Sequence, residues 1–198
     1  QQGAIPDIPV FLNSPMATDV TKIYQDHHKE HRLSRAETEA MCRAATIISS
    51  VEDSRRLNKS AGPMVIIAGS GMATGGRIIH HLHAFAEDPR NMIVLAGFQA
   101  GGTRGAAILG GAPSVRIFGD DVPIGAEVVG LDSLSAHADA DEIVDWVRRL
   151  PHPPRRTFVT HGEPAAADAL RARLKRELGW DAHVPEHLGY RYDDALEL

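Results

Sequence analysis

The sequence predicts an α/β fold with a mainly parallel sheet and flanking helices. Short apolar runs rich in β-branched residues alternate with segments of helical periodicity, which is typical of βαβ units. Glycine-rich turns follow two of these runs, as expected where a strand turns into a helix. A chain of 198 residues with 43% hydrophobic residues can bury a core. No stretch approaches the roughly 20 apolar residues of a membrane span, so we expect no membrane association.

Six short runs have the composition of buried strands, and turn residues or helical patterns separate them. Because they alternate with segments of helical pattern, the strands are predicted to form a mainly parallel sheet. The predicted strands are Val10-Leu12, Met64-Ala68, Met92-Ala96, Val115-Phe118, Val128-Leu131 and Thr157-Thr160.

Four helices are predicted from capping signals and apolar periodicity. The first begins at the capping box Ser34-Arg35-Ala36-Glu37 and is expected to continue as one long helix to Val51. Each of the others has its own start or stop signal. They run from near Gly75 to Phe85, from the cap Asp139 to Leu150, and from Pro164 to Leu178 before Gly179.

Charge and cysteine content say little about a partner. The formal charge of −5 gives no general attraction for nucleic acid, so RNA contact would need a local basic patch. The single cysteine, Cys42, cannot form an internal disulfide, which favours a reducing, cytoplasmic setting. The chain starts without methionine and without a visible secretory signal. We expect it to be a piece of a longer protein.

Residues 69–77, which we call turn 1, have the composition of an anion-binding loop. Backbone N–H groups at a glycine-rich turn before a helix converge on an anion such as phosphate. A dinucleotide site is an alternative, since the spacing of the glycines is loosely that of a nucleotide fingerprint and Glu87 or Asp88 is placed for a ribose. Glycines that only allow tight packing are a third interpretation. The predicted phosphate-binding residues here are Ser70, Gly71, Met72, Thr74, Gly75, Gly76 and Arg77.

Residues 97–105, which we call turn 2, repeat this arrangement after the next strand. The two strands are predicted to be adjacent and parallel, so their turns are expected to lie together at one sheet edge, where they suit a chain of phosphates. Arg77 and Arg104 would then clamp the backbone, although either could be an ordinary solvated or carboxylate-paired arginine. The predicted contacts from turn 2 are Gln99, Gly102, Thr103 and Arg104.

Two histidines occupy short motifs at predicted strand-to-helix junctions. His137 lies in Ser135-Ala136-His137-Ala138-Asp139, and His161 lies in Thr160-His161-Gly162-Glu163-Pro164. The carboxyl ends of strands are where α/β proteins place their reactive groups. A further string, His80-His81-Leu82-His83, is interpreted as a partly exposed helix face rather than a metal site.

Together these motifs resemble the β-CASP branch of the metallo-β-lactamase superfamily. The likeness extends from Pro9-Val10-Phe11-Leu12-Asn13-Ser14-Pro15-Met16-Ala17 through both turns to the two histidine motifs, and thus covers essentially the whole chain. It includes RNA-processing relatives of the cleavage and polyadenylation endonuclease and of RNase J. The resemblance implies that residues 1–125 form a β-CASP-like domain and residues 126–198 a returning βα segment of the metallo-β-lactamase core.

The resemblance also implies roles for single residues. His137 corresponds to a histidine beside the scissile phosphate, and His161 to a ligand of one zinc; an imidazole suits both tasks. Asp139 and Glu163 are candidate partners of these rings, although Asp139 is equally expected as a helix cap. Ser135 joins the two turns as a predicted contact to RNA.

One departure from the family limits these expectations. Such enzymes hold two Zn²⁺ ions largely with a His-x-His-x-Asp-His run, which this sequence lacks. We therefore expect the chain to belong to a zinc-dependent ribonuclease whose N-terminal metal-binding part lies elsewhere, and to hold no zinc and cleave no RNA alone. A non-catalytic nucleotide-binding module using turn 1 and a self-associating interaction domain stay open as alternatives. A homodimer is also possible.

Overall fold

The computed structural model describes residues 6–133 and 135–185. The chain divides into two compact units, Gln1–Ser135 (unit 1) and Ala136–Leu198 (unit 2). Each unit is described by itself. The predicted domain ranges, 1–125 and 126–198, include residues outside the described part and stay a prediction.

Unit 1 contains several parallel strand pairs with helices between them. The central strand of its first sheet pairs with both neighbours in parallel, a second parallel pair stands apart, and an antiparallel hairpin completes the unit. The strands are β1 Val10–Asn13, β2 Thr46–Ile47, β3 Val65–Ala68, β4 Met92–Ala96, β5 Ser114–Ile117, β6 Asp120–Pro123 and β7 Glu127–Leu131. Their order is β2-β1-β3 in the first sheet, β4-β7 in the second and β5-β6 in the hairpin. The helices are α1 Pro15–Asp26, α2 Arg35–Arg43, α3 Val51–Leu57, α4 Ile78–Phe85 and α5 Arg104–Leu109.

The prediction of one long helix after Ser34 is wrong. The capping box at Ser34 is present, but α2 ends at Arg43 and β2 follows. The three consecutive β-branched residues 46–48 favour extended backbone, and the N–H of Ile48 donates to the carbonyl of Leu12 at 2.9 Å. A new cap, Ser50, then begins α3. Pairing with β1 therefore overrides the helical periodicity of this segment.

A second feature that the periodicity does not predict is α1. The Ser14 side chain accepts a hydrogen bond from the N–H of Ala17, and Pro15 is the first helical residue, where its missing N–H costs nothing. The main core of unit 1 lies further along the chain, where helices α4 and α5 cover β4, β5 and β6. Its buried residues are Ala73, Leu82, Ala86, Leu95, Ile108, Val115, Ile117 and Val122.

Unit 2 consists of two helices and a short parallel strand pair in its described part. Two predicted helix starts are confirmed: Asp139 forms a capping box with Glu142, and Pro164 opens the last helix, which ends at a left-handed Gly179. The elements are α6 Ala140–Val147, β8 Thr157–Phe158, α7 Pro164–Leu178 and β9 Ala182–His183. The core residues are Val144, Val159, Ala167, Leu174, Trp180 and Ala182.

The prediction of an α/β fold with mainly parallel strands is confirmed, since every described strand pair except the β5-β6 hairpin is parallel. Within residues 6–133 and 135–185, no helix combines the length and apolarity needed to cross a membrane.

Candidate functional site

Turn 1 connects the carboxyl end of β3 to the start of α4 and closes tightly on itself. The N–H groups of Ser70, Ala73 and Ile78 donate to carbonyls within the turn. Gly76 has a φ of +73°, and a Cβ at this position would lie 2.7 Å from the carbonyl oxygen of Gly69. Both features require glycine at position 76. The packing interpretation of the glycines therefore holds for this one.

The other amides of turn 1 are not used by the fold. In the described part of the chain, the N–H groups of Gly71, Thr74, Gly75 and Gly76 have no protein acceptor. Gly71, Thr74 and Gly76 are exposed and Gly75 is half-buried. Neighbouring N–H groups that are open to solvent at a helix start can bind an anionic group. Turn 1 therefore has the donors that the sequence predicts for a phosphate site.

Arg77 stands between turn 1 and α4. Its side chain is half-buried, and its carbonyl accepts the N–H of His80 at 3.1 Å. Within residues 6–133 and 135–185, no carboxylate lies at ion-pair distance from its guanidinium. A positive charge that no carboxylate neutralises remains available to a phosphate.

A buried polar network lies behind turn 1. His81 is 4% exposed and Asn13 1% exposed, so the interpretation of the histidine string as a partly exposed face is wrong at position 81. The Asn13 amide donates to Ser54 Oγ at 2.8 Å and lies 2.9 Å from His81 Nε2, while His81 Nδ1 lies 2.5 Å from Asn58 Oδ1. This arrangement fits a neutral ring that donates through Nδ1 and accepts through Nε2.

The burial of His81 sets its proton affinity. Burial, followed by the positive charges of His80 and Arg77, lowers the pKa of His81 from 6.5 to about 4. The sequence does carry a signal for the burial of this ring. Residues 78, 81, 82 and 85 have the i, i+3, i+4, i+7 spacing of a core-facing helix surface, which places His81 between Ile78 and Leu82.

The two turns meet although their strands do not pair. The sequence predicts adjacent parallel strands, but β3 pairs with β1 and β4 pairs with β7. The prediction that the strands are adjacent is therefore wrong. Contact is made by the turns themselves, since the N–H of Gly105 donates to the carbonyl of Met72 at 2.9 Å. A Cβ at Gly105 would lie 3.1 Å from the carbonyl carbon of Met72 and would displace the Gln99 side chain, so this close approach favours glycine.

Turn 2 uses its polar side chains for internal contacts. Arg104 donates through Nε to the carbonyl of Arg116 at 2.6 Å and through one terminal nitrogen to the carbonyl of Ala73 at 3.0 Å. Thr103 caps α5, accepting the N–H of Ala106 and donating to the carbonyl of Ala100. These contacts give Arg104 and Thr103 structural roles. Their contact with RNA stays a prediction.

Gln99 and Gly102 complete turn 2. The Gln99 amide donates to the carbonyl of Gly97 at 3.2 Å, while its Oε1 is buried and has no partner among the described residues. Gly102 is exposed and has a φ of +80°. Their contact with RNA also stays a prediction.

The first histidine motif precedes α6 in unit 2. Ser135, the last residue of unit 1, and His137 are both exposed. Asp139 accepts the N–H of Glu142 at 2.9 Å, and Glu142 accepts the N–H of Asp139 at 3.0 Å. The expectation that Asp139 is a helix cap is thus confirmed. Its role as a partner of a histidine stays a prediction.

The second histidine motif follows β8. His161 is exposed and has a φ of +62°, a left-handed conformation that is uncommon outside glycine and that clusters at functional sites. A Cβ at Gly162 would lie 3.3 Å from the Cβ of Ala167, so the start of α7 packs closely on this residue. Glu163 precedes Pro164 at the N-cap position but makes no side-chain cap. The motif therefore lies at a strand-to-helix junction, as predicted.

The described residues do not form a zinc site by themselves. No group of three or more His, Cys, Asp or Glu side chains in residues 6–133 and 135–185 is arranged to hold a metal ion. A catalytic zinc takes three protein ligands. His161 could at most be one of them.

Two protein-family profiles match this chain. The profile of the Beta-Casp domain matches residues 1–108, which is more than half of the chain. The profile described as a Zn-dependent metallo-hydrolase RNA specificity domain matches residues 121–185.

Characterised relatives cover most of this chain. A ribonuclease of Thermus thermophilus is 39% identical over 84% of the chain, and the transcription termination factor FttA of Methanosarcina mazei is 29% identical over 90%. An RNase J-like protein of Methanocaldococcus jannaschii is 34% identical over 70%. The matched regions span 39%, 30% and 32% of these relatives, so the chain corresponds to well under half of each. The chain belongs to the β-CASP branch of the metallo-β-lactamase superfamily.

Proposed function

We propose that this chain is the RNA-binding portion of a zinc-dependent RNA-processing hydrolase, and that turn 1 with Arg77 holds the phosphate backbone. The observation that carries the proposal is the set of four turn 1 N–H groups without a protein acceptor in the described residues. The relatives named as a ribonuclease and an RNase J-like protein support RNA as the substrate class.

The chemistry of turn 1 suits a phosphodiester. Each non-bridging phosphate oxygen accepts hydrogen bonds, and backbone donors at the start of α4 are fixed before the ligand arrives. Arg77 adds a full positive charge beside them. Because these groups contact phosphate rather than base edges, turn 1 gives affinity without sequence preference.

The histidine motifs are proposed to act on the same substrate in the whole protein. His137 would lie beside the scissile phosphate, where a protonated imidazole donates a proton. His161 would supply one ligand of a zinc ion whose other ligands lie outside the described residues. Asp139 and Glu163 would orient these rings.

We therefore infer that the chain alone binds RNA but does not cleave it. The metal-binding part of the parent protein, a second copy as dimer partner and a cytoplasmic setting remain predictions. Metal analysis of the purified chain after dialysis tests the first of them. Two tightly held zinc ions per chain, lost in His161→Ala, would contradict the inference.

The nucleotide-binding alternative loses one of its supports. Asp88, a candidate for the ribose contact, is held by Arg90 with nitrogen-to-oxygen distances of 2.6, 3.0 and 3.1 Å. The hydrogen bonds from Arg90 lower the pKa of Asp88 to about 2. A carboxylate that is bound to an arginine is poorly placed to accept ribose hydroxyls.

RNA binding by the chain is the direct test. We expect fluorescence anisotropy with a labelled single-stranded RNA to show binding that weakens as salt rises. Arg77→Ala should reduce affinity and lower the slope of log affinity against log salt by about 1, the change expected for one lost phosphate contact.

Arg35→Ala is the matched control, because Arg35 forms an exposed ion pair with Glu39 on α2, and its loss changes net charge by the same amount. Equal salt slopes for the two variants would show that Arg77 does not contact an RNA phosphate, and turn 1 would then not belong to the RNA site. Saturable binding of NAD or ATP, together with no binding of RNA, would favour the nucleotide-binding alternative.

A further inference from the structure

An exposed aromatic cluster stands on unit 1 outside the predicted site. The Phe118 side chain is 59% exposed and lies in the turn between β5 and β6. Its ring centroid is 4.8 Å from that of His80 and 6.1 Å from that of His83, both on α4. His83 Nε2 lies 3.1 Å from Asp120 Oδ2. Three rings from two elements thus form one surface group.

The backbone at Phe118 is unfavourable for a large side chain. Phe118 has a φ of +53° and Gly119 a φ of +95°. A two-residue hairpin turn with both residues left-handed is usually formed by Asn-Gly, since asparagine tolerates this conformation. Phenylalanine carries a strain that asparagine would not. Its ring contacts those of His80 and His83 but remains 59% exposed, so a ligand can still reach it.

The cluster is connected to turn 1. The Arg104 guanidinium bridges the carbonyl of Ala73 in turn 1 and the carbonyl of Arg116, two residues before Phe118. Two residues of extended chain span about 7 Å. On the helix side, His80 follows Arg77 by three residues, which places both on one surface of the first helical turn. The ring is therefore within the reach of nucleotides next to one held at turn 1.

We propose that Phe118, flanked by His80 and His83, is a stacking platform for a base of single-stranded RNA whose phosphates bind turn 1. This inference rests on the proposed function and adds to it a contact with the bases. Aromatic side chains that lie beside a phosphate-binding groove stack on bases of any sequence, because every base has a π-face. The two imidazoles limit the ring's freedom, so less conformational entropy is lost on binding.

The test compares two substitutions at one position. Phe118→Asn removes the ring and suits the left-handed turn, so the hairpin is kept, whereas Phe118→Trp retains an aromatic face. With a labelled RNA of about ten nucleotides, we expect Phe118→Asn to weaken binding about tenfold and Phe118→Trp to leave it within about twofold. The salt slope should stay at the wild-type value, because no phosphate contact is removed.

An abasic oligomer with the same number of phosphates separates this inference from the proposed function. We expect it to bind wild type and Phe118→Asn equally. Trp146→Ala is the matched control for loss of an exposed aromatic ring, since Trp146 is 70% exposed on α6, and it should bind RNA as wild type does.

The possible failures are distinguishable. If wild type binds neither RNA nor the abasic oligomer, both proposals are wrong. If RNA binding depends on Arg77 but not on Phe118, the platform alone is overturned. Equal losses on RNA and on the abasic oligomer in a folded Phe118→Asn variant would also overturn it, because the ring would then not act through the bases.

Discussion

The two glycine-rich turns have similar compositions but use their polar groups differently. In the described part of the chain, turn 1 leaves the N–H groups of Gly71, Thr74, Gly75 and Gly76 without a protein acceptor, and no carboxylate pairs with the Arg77 guanidinium. Turn 2 uses Thr103 to cap α5 and Arg104 to hold two carbonyls outside its own loop. Both turns leave backbone N–H groups open among the residues that the structure describes, those of Phe98, Ala100 and Gly102 in turn 2 included. The difference lies in the arginines: within the described residues Arg77 has no carboxylate partner, whereas Arg104 braces turn 1.

The composition of a turn that contains glycine and arginine therefore does not determine what the turn binds. A polar group that the fold satisfies contributes to stability, and one that the fold leaves open can contribute to binding. Substitutions in turn 2 should consequently reduce stability first. Substitutions at the open donors of turn 1 should reduce RNA affinity first.

Gly76→Ala should have the largest effect on stability. It places a Cβ 2.7 Å from the Gly69 carbonyl oxygen at a φ of +73°. We expect a loss of about 3 kcal/mol in the free energy of unfolding, from left-handed strain together with the contact. Gly71→Ala is the control, since nothing lies within 4 Å of its Cβ, and it should change stability by less than about 0.5 kcal/mol. Urea denaturation measures both, and equal values would show that turn 1 does not close over Gly76.

Arg104→Ala tests the bracing role of turn 2. It removes the hydrogen bonds to the carbonyls of Arg116 and Ala73, and we expect a loss of about 2 kcal/mol in the free energy of unfolding. Arg116→Ala is the control, because Arg116 contributes its carbonyl rather than its exposed side chain to this contact. If Arg104→Ala left stability unchanged and lowered the RNA salt slope, turn 2 would be a clamp, as its composition suggests.

Acid should loosen the support of turn 1 through His81. Unfolded His81 takes up a proton near pH 6.5, whereas the folded ring does so only near pH 4. The unfolded state therefore binds the proton first, and the stability that the neutral ring contributes above pH 6.5 is lost as pH falls towards 4. We expect His81 to account for a loss of about 1.5 kcal/mol between pH 7 and pH 5.

Urea denaturation at the two pH values measures this contribution. His81→Gln should show a smaller difference between them than wild type, whatever its stability at pH 7. His152→Gln, which alters an exposed histidine, should keep the wild-type difference. A His81→Gln variant with the full wild-type pH dependence would show that the ring does not titrate as its burial implies.

Local signals in the sequence predict most of the elements that hold these groups. The helix starts at Ser34, Asp139 and Pro164 are predicted correctly, because capping chemistry depends on neighbouring residues alone. Strand pairing is not predicted correctly, because the partner of β3 is determined by packing between residues far apart in the chain. The prediction of a long helix fails for the same reason, because β2 forms only where β1 is present to pair with it.

The candidate site shows the same division. Composition identifies both turns, but only the structure shows that Arg104 is engaged and that the turn 1 amides are open. His81 is buried rather than exposed, in line with its spacing from Ile78 and Leu82. Its hydrogen-bond partners Asn13 and Asn58 are 68 and 23 residues away in sequence, so no local pattern could reveal the network.

The smallest effects come from a matched pair of threonines, one in each turn. Thr103→Ala removes the cap of α5 and should cost about 1 kcal/mol in the free energy of unfolding. Thr74 is exposed and its hydroxyl lies 3.1 Å from Ser70 Oγ, so Thr74→Ala should cost less than about 0.5 kcal/mol. We expect Thr74→Ala to reduce RNA affinity more than Thr103→Ala does, because Thr74 lies among the open donors of turn 1 and Thr103 is engaged within turn 2. If the same variant caused the larger loss both in the free energy of unfolding and in RNA affinity, the two turns would not divide stability and binding between them.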